Sequence, residues 1–144
     1  VLDQLQDPGN AGAIARAAEA FGASGMLFLT GTAHPFHPKT LRASAGSLFR
    51  LPILTGLGPA DVLSLAAQHQ RPCYAAAAGS SRTAEEADLS DCVLIIGNEG
   101  RGVSEILRGA SLPVSIPTRG VESLNAAVSA SILLYEAQRQ RQPR

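Results

Sequence analysis

The sequence has no tryptophan, only two tyrosines and four phenylalanines, one methionine, two cysteines and a single lysine, Lys39. Each shortage excludes something. Cys73 and Cys92 show no CxxC or metal-ligand spacing, which removes a disulfide-stapled scaffold or a zinc cluster and makes a reduced, cytoplasmic protein the default expectation. Apolar runs are short, Cys92 to Ile96 being typical, whereas crossing a bilayer takes about 20 residues, so no membrane span is expected. Charge of one sign is missing too. Twelve basic and twelve acidic residues cancel, and the overall field neither attracts nor repels an anionic partner. With one lysine among the twelve basic residues, arginine dominates. That bias suits forked contacts with phosphate and equally suits a GC-rich genome.

What is present is an ordinary globular composition, 45% hydrophobic and 17% charged over 144 residues, enough for one domain spanning 1–144 with its own core. The chain opens on Val1 within an apolar segment, without an initiator Met or a basic leader. We therefore expect a domain drawn from a longer chain, with no signal peptide. Gln138 to Arg144 turn polar and basic, as a fraying terminus does.

Short apolar runs at Gly25–Leu29, Pro72–Ala77, Cys92–Gly97 and Pro113–Ile116 read as buried strands. Helical patterns at Asn10–Phe21, Ala60–Gln68 and Val103–Arg108 lie between them. Strands apolar on both faces and separated by helices predict an α/β fold with a mostly parallel sheet covered on both sides. In the first helix, Ile14, Ala17, Ala18 and Phe21 form the apolar stripe, Asn10 is the expected N-cap and Gly22 the stop, and Arg16 points away from the stripe. The last helix is expected from Ser123 or Leu124 to Gln140, with Leu124, Val128, Ile132 and Tyr135 on one face and small residues elsewhere.

Three segments hold more Gly, Asn, Ser and Arg than packing needs: Asp7–Asn10 with Arg16, Ile96–Gly102, and Ile116–Asn125. Two of them are strand-to-turn-to-helix corners, the places where open α/β sheets bind ligands. Dinucleotide and phosphate-loop spacings are absent from Gly97, Gly100 and Gly102. His34 and His37 sit in a Pro-rich loop with no strong ligand beside them, so no metal site is expected. Read singly, Glu99 is a surface carboxylate, Asn10 a cap and Arg16 a solvated helix face.

In this order, however, the segments resemble the three signature motifs of the SpoU/TrmH family of RNA ribose 2′-O-methyltransferases, in the SPOUT class. Asp7–Gly22 is similar to the first, Gly97–Val103 to the second, and Ile116–Gly120 with Ser123–Val128 to the third. Thr118 and Ala126 depart from the usual Met and Val, and Arg42–Gly46 resembles a further common segment. The resemblance implies a C-terminal deep trefoil knot, a homodimer through the first and last helices, and S-adenosyl-L-methionine held without a metal by Gly97, Ile116 and Leu124. It implies ribosomal or transfer RNA as partner, with Arg16 as the catalytic arginine and Asn10, Glu99, Ser123 and Asn125 around it. An additional RNA-binding part usually precedes the catalytic domain in that family. Candidate phosphate contacts are Arg16, Lys39, Arg42, Arg101 and Arg119. Gly97→Val is expected to fill ligand space while the protein stays folded. Two alternatives are a non-catalytic RNA-binding member of the same fold and an unrelated nucleotide-binding α/β protein.

Overall fold

A computed structural model describes residues 1–142. The helices are α1 (Pro8–Ala20), α2 (Pro38–Ser44), α3 (Pro59–Gln68), α4 (Glu105–Gly109) and α5 (Ala126–Arg141). The strands are β1 (Met26–Leu29), β2 (Ile53–Leu57), β3 (Cys73–Ala76), β4 (Val93–Ile95) and β5 (Leu112–Val114). Strands β1 and β2 pair in parallel, and β3 lies between β4 and β5, again in parallel. The first residues of the chain join the two groups. Leu2 bridges Phe28 on one side and Ile96 on the other, its N–H donating to Leu27 O at 2.8 Å and its carbonyl accepting from Leu29 N at 3.0 Å. The result is a continuous parallel order, β2, β1, residues 1–3, β4, β3, β5.

Alternation along these strands sends side chains into two cores. Phe28 and Tyr74 join Ile14, Ala18, Leu133 and Ala137 beneath α1 and α5. Leu29, Cys73, Ala75 and Ile95 pack with Val62, Ala66 and Leu107 on the other face. Leu107 and Ile95 are fully buried, each contributing about 1.5–3 kcal/mol by removal from water. Helices α1 and α2 cross closely because position 12 is glycine: a Cβ there would stand 2.3 Å from Thr40 O and 2.7 Å from Ala43 Cβ.

Several elements depart from the sequence expectation. Asp7, not Asn10, caps α1: its Oδ1 accepts from Asn10 N at 2.9 Å, and Pro8, whose fixed φ suits the first helical position, follows it. Asn10 thus lies inside the first turn with its amide free for other work. The Pro-rich loop of His37 leads into α2, with Pro38 at the helix start. Strand β2 escaped the pattern because it is an edge strand: Leu54, Thr55 and Gly56 are exposed. Helix α4 starts at Glu105, and Val103 is buried ahead of it.

Helix α5 starts later than expected, at Ala126, capped by Asn125, whose Oδ1 accepts from Ala127 N at 2.8 Å and Val128 N at 3.2 Å. Ser123 and Leu124 therefore belong to the preceding turn. Its buried side is Ala130, Leu133 and Ala137, whereas Val128, Ile132 and Tyr135 remain exposed. Ala130 and Ala137 let the helix sit close to the sheet around Leu133, and Val128, Ile132 and Tyr135 face outward.

Candidate functional site

All six parallel segments end at one edge, where the connections 30–37, 4–7, 97–104, 77–91 and 115–125 emerge. A cavity of about 600 Å³ opens there beyond β3, β4 and β5. Gly97, Ile116 and Leu124 line it, as do Glu99, Ser123 and Asn125. Two glycines of the wall, Gly79 and Gly102, would carry a Cβ into open space, with nothing within 4 Å. A cavity of this size with aliphatic side chains on one part of its wall and bare backbone on another accommodates a nucleoside-sized ligand. Ala76–Gly79, at the end of β3, also line it. A run of alanines closing on glycine was their only signal in the sequence.

Gly97 has a different reason for being glycine than the one expected from the sequence. A Cβ at this position would fall 2.2 Å from both Gly102 C and Val103 N. The loop 98–102 folds back over it, closed by reciprocal bonds between Asn98 and Gly102 at 3.0 and 2.8 Å. Any side chain there collides with backbone, so Gly97→Val disrupts this corner rather than leaving it folded. Asn98 organises the same loop: Oδ1 accepts from Gly100 N and Arg101 N at 2.9 and 3.0 Å, while Nδ2 donates to Gln4 O at 2.9 Å. Its Asx-turn chemistry was legible in Asn-Glu-Gly, but its reach to Gln4 was not.

A polar chain links all three sequence segments. Glu99 Oε2 accepts from Gln6 N at 3.2 Å, and Oε1 accepts from Asp7 N at 3.1 Å and Asn10 Nδ2 at 3.4 Å. Asn10 Oδ1 in turn accepts from Asn125 Nδ2 at 3.1 Å. Desolvation pushes the Glu99 carboxyl up, but the backbone N–H groups around it and the Asn10 amide outweigh that and hold its pKa below the usual range. Both oxygens are committed to N–H donors. Glu99 thereby fixes the Asn10 amide, and Asn10 fixes the residue that caps α5.

Ser123 is exposed on the cavity rim and makes no hydrogen bond among the described residues. Arg16 is exposed on α1, does not line the cavity, and its side chain has no hydrogen bond or ion pair among the described residues. Within one copy Asn10 bonds Glu99 and Asn125, and no bond joins it to the Arg16 side chain among the described residues. Neither His34 nor His37 joins a metal-binding group among the described residues. Each uses Nδ1 to accept a backbone N–H, from Phe36 at 3.1 Å and from Lys39 at 3.2 Å.

The family model of the SpoU rRNA Methylase family matches residues 1–135. The chain belongs to this family. Among curated SpoU relatives, it is 38% identical over 138 residues to the 23S rRNA (guanosine(2553)-2′-O)-methyltransferase RlmP of Bacillus subtilis, covering 94% of this chain and 55% of that protein. It is 36% identical over 149 residues to the 23S rRNA (uridine(2479)-2′-O)-methyltransferase of Streptomyces viridochromogenes, covering 98% of this chain and 52% of that one. The chain thus spans about half the length of these relatives. The crystal structure of the SpoU methyltransferase AviRb from S. viridochromogenes in complex with AdoMet superposes with a TM-score of 0.91 at 35% identity, covering 97% of this chain and 58% of that one. The α/β fold with its parallel sheet is therefore the SpoU, or SPOUT, fold.

Proposed function

We propose that residues 1–144 act as the catalytic domain of an S-adenosyl-L-methionine-dependent methyltransferase that modifies a ribose 2′-hydroxyl in ribosomal or transfer RNA. The observation that carries this reading is the Glu99–Asn10–Asn125 chain at the mouth of the carboxyl-edge cavity, in a SpoU-family fold whose relatives bear that activity in their names. Gly97 backbone, Ile116 and Leu124 would hold the cofactor, and the aliphatic pair suits an adenine face. When bound, S-adenosylmethionine supplies an electrophilic methyl group on a sulfonium, a transfer that needs no Lewis acid.

Glu99 acts here as a positioning residue. With both oxygens accepting N–H groups, it is poorly placed to take a proton from a hydroxyl. Asn125 and Ser123 offer polar atoms at the rim for the ribose. Arg16 supplies the cation: its guanidinium clamps the phosphate and the 2′-oxygen and stabilises developing alkoxide charge, while the hydroxyl proton passes to the neighbouring phosphate oxygen or to a transiently neutral guanidine. Since Arg16 does not line the cavity of its own copy, it meets that ribose from a second copy. That arrangement calls for a homodimer through α1 and α5, which is supported by the apolar stripe that Val128, Ile132 and Tyr135 leave exposed on α5, with Tyr135 edge-on to Phe21 at 5.7 Å. The C-terminal trefoil knot belongs to the same reading. Gln140 ties α5 to the 77–91 segment, accepting from Leu89 N at 2.7 Å and donating to Ala87 O at 3.0 Å.

No helix among the described residues is long and apolar enough to cross a membrane; a cytoplasmic location goes with the ribosomal or transfer RNA substrate of this reading. Calorimetry with S-adenosylhomocysteine, in chelator, tests the cofactor site. Transfer of labelled methyl to RNA, followed by mass mapping of the nucleotide, tests the reaction. Binding that requires a divalent ion would refute the pocket assignment. RNA binding without methyl transfer would leave a non-catalytic RNA-binding member of the fold.

A further inference from the structure

We infer that the loop 34–39 and the outer face of α2 form a second RNA contact on the rim of the site, where Phe36 stacks an unpaired base and Lys39 and Arg42 hold the adjoining phosphates. The inference rests on the RNA reading above and adds a base-recognition surface to it. Phe36 is 51% exposed; Phe49 is 72% exposed, but the arginine next to it, Arg50, is already paired with Glu19. The display is rigid. Pro35 is buried beneath it, Phe36 N donates to His34 Nδ1 at 3.1 Å, His37 N donates to His34 O at 3.1 Å, and Lys39 N donates to His37 Nδ1 at 3.2 Å. The His34 ring lies 5.9 Å from that of Phe36, tilted by 52°, so the two rings do not close on each other face to face. A fixed, exposed aromatic face is what single-stranded RNA uses to stack a base.

Charge points the same way. No Asp or Glu occurs between Glu19 and Asp61, an interval that holds Lys39, Arg42 and Arg50. Arg50 is paired with Glu19 at 2.6 Å. Lys39 and Arg42, both exposed and three residues apart on α2, have no ion pair among the described residues. A protein partner with an apolar anchor would bury Phe36 equally well, but two uncompensated cations beside the ring favour a polyanion carrying flat bases. The place also fits. Loop 30–37 leaves the carboxyl end of β1, Ala33 N donates to Leu5 O at 2.8 Å, and the next two residues, Gln6 and Asp7, donate to Glu99.

Fluorescence anisotropy of the purified protein with a labelled single-stranded oligoribonucleotide, and with one of equal length whose central positions are abasic, tests this directly. The wild type should bind the base-bearing strand about tenfold more tightly. Phe36→Ala should abolish that preference while leaving the abasic strand unaffected, and Phe36→Trp should keep it. Lys39→Gln combined with Arg42→Gln should weaken both strands alike and flatten the salt dependence. Equal binding of the two strands by the wild type, or an unchanged preference in Phe36→Ala, overturns the stacking role. Wild-type binding to neither strand overturns the whole surface and leaves a protein contact as its explanation. Calorimetry with S-adenosylhomocysteine and methyl transfer report on the enzyme reading separately. A protein that failed both yet kept a Phe36-dependent preference would retain this surface and lose that reading.

Discussion

The two edges of the parallel sheet hold cavities of opposite character. At the amino edge, a cavity of about 910 Å³ lies among the starts of β1, β2 and β4, walled by Ile14, Ala18, Ile53, Leu65 and Leu134. Arg71 and Asp91 line it and pair with each other at 2.8 Å. The carboxyl edge has the smaller space, about 600 Å³, yet there Glu99, Asn10 and Asn125 converge from distant parts of the chain. Size alone would choose the wrong edge. The difference lies in what the connections do. At the carboxyl edge they fold into tight, glycine-bearing corners that leave backbone and amide groups facing a shared space, whereas the amino-edge wall is mainly aliphatic and its Arg71 and Asp91 neutralise each other.

The sharpest test of this contrast is Arg16→Ala, which removes a cation that holds nothing in its own copy together. Methyl transfer should fall by about a thousandfold or more, while S-adenosylhomocysteine affinity and melting temperature stay unchanged. Arg16→Lys should restore little, since it keeps charge without the fork. Near-normal turnover in Arg16→Ala would return the residue to a solvated helix face.

Next in size is Gly97→Ala. One methyl group forced to within 2.2 Å of Gly102 C and Val103 N should destabilise the fold by about 3 kcal/mol. Thermal unfolding should show it as a clear fall in melting temperature. An unperturbed melt would mean that the 98–102 loop yields easily and that the glycine serves the ligand instead.

Glu99→Gln follows. The amide keeps one acceptor but turns an NH2 toward backbone donors, a loss held to about 1 kcal/mol because Glu99 is exposed to solvent. Methyl transfer should drop as Asn10 loses its anchor. The carboxyl's depressed pKa fixes the sign of the pH effect: the contribution is present above the unfolded value of about 4.3, and is lost as pH falls through the folded value. Glu19, held down to about 2 by hydrogen bonds from Arg50 and Ser47, follows the same sign. Acid titration of Glu99→Gln beside the wild type should therefore show a reduced loss of stability below pH 4.3. Equal acid slopes would show that Glu99 contributes none of it.

The smallest effect is expected at the other edge. Asp91→Asn breaks an ion pair whose side chains are 41% and 71% exposed, so stability should change by less than about 1 kcal/mol. Methyl transfer should be unchanged. A large loss of activity would erase the distinction between the edges.

The comparison also shows which features were legible from residue order. Helix α1 announced itself by a stripe of buried Ile14 and Ala18 at helical spacing, and β1, β3 and β4 by short apolar runs between turns. Strand β2 and helix α2 gave no such signal. The former exposes Leu54 to Gly56 at a sheet edge, and the latter is a seven-residue helix that begins on Pro38 after the run His34-Pro35-Phe36-His37. Asn10 looked like a cap because asparagine is a good one. Asp7 and Pro8 already provided the helix start, and that left the Asn10 amide for Glu99 and Asn125.

By itself, then, the sequence determined the α/β class, the three polar segments and the family to which they belong, because these rest on local periodicity and on short runs of residue types. Tertiary structure decided what the segments do to one another. Asn10 and Glu99 are 89 residues apart, and Asn10 and Asn125 are 115, so no local pattern carries their bonds. It also decided that Gly97 is required by a loop folding over it, that Val128, Ile132 and Tyr135 face outward, and that Arg16 stands away from the cavity. Each depends on which backbone crosses which, a matter of long-range packing that residue spacing does not encode.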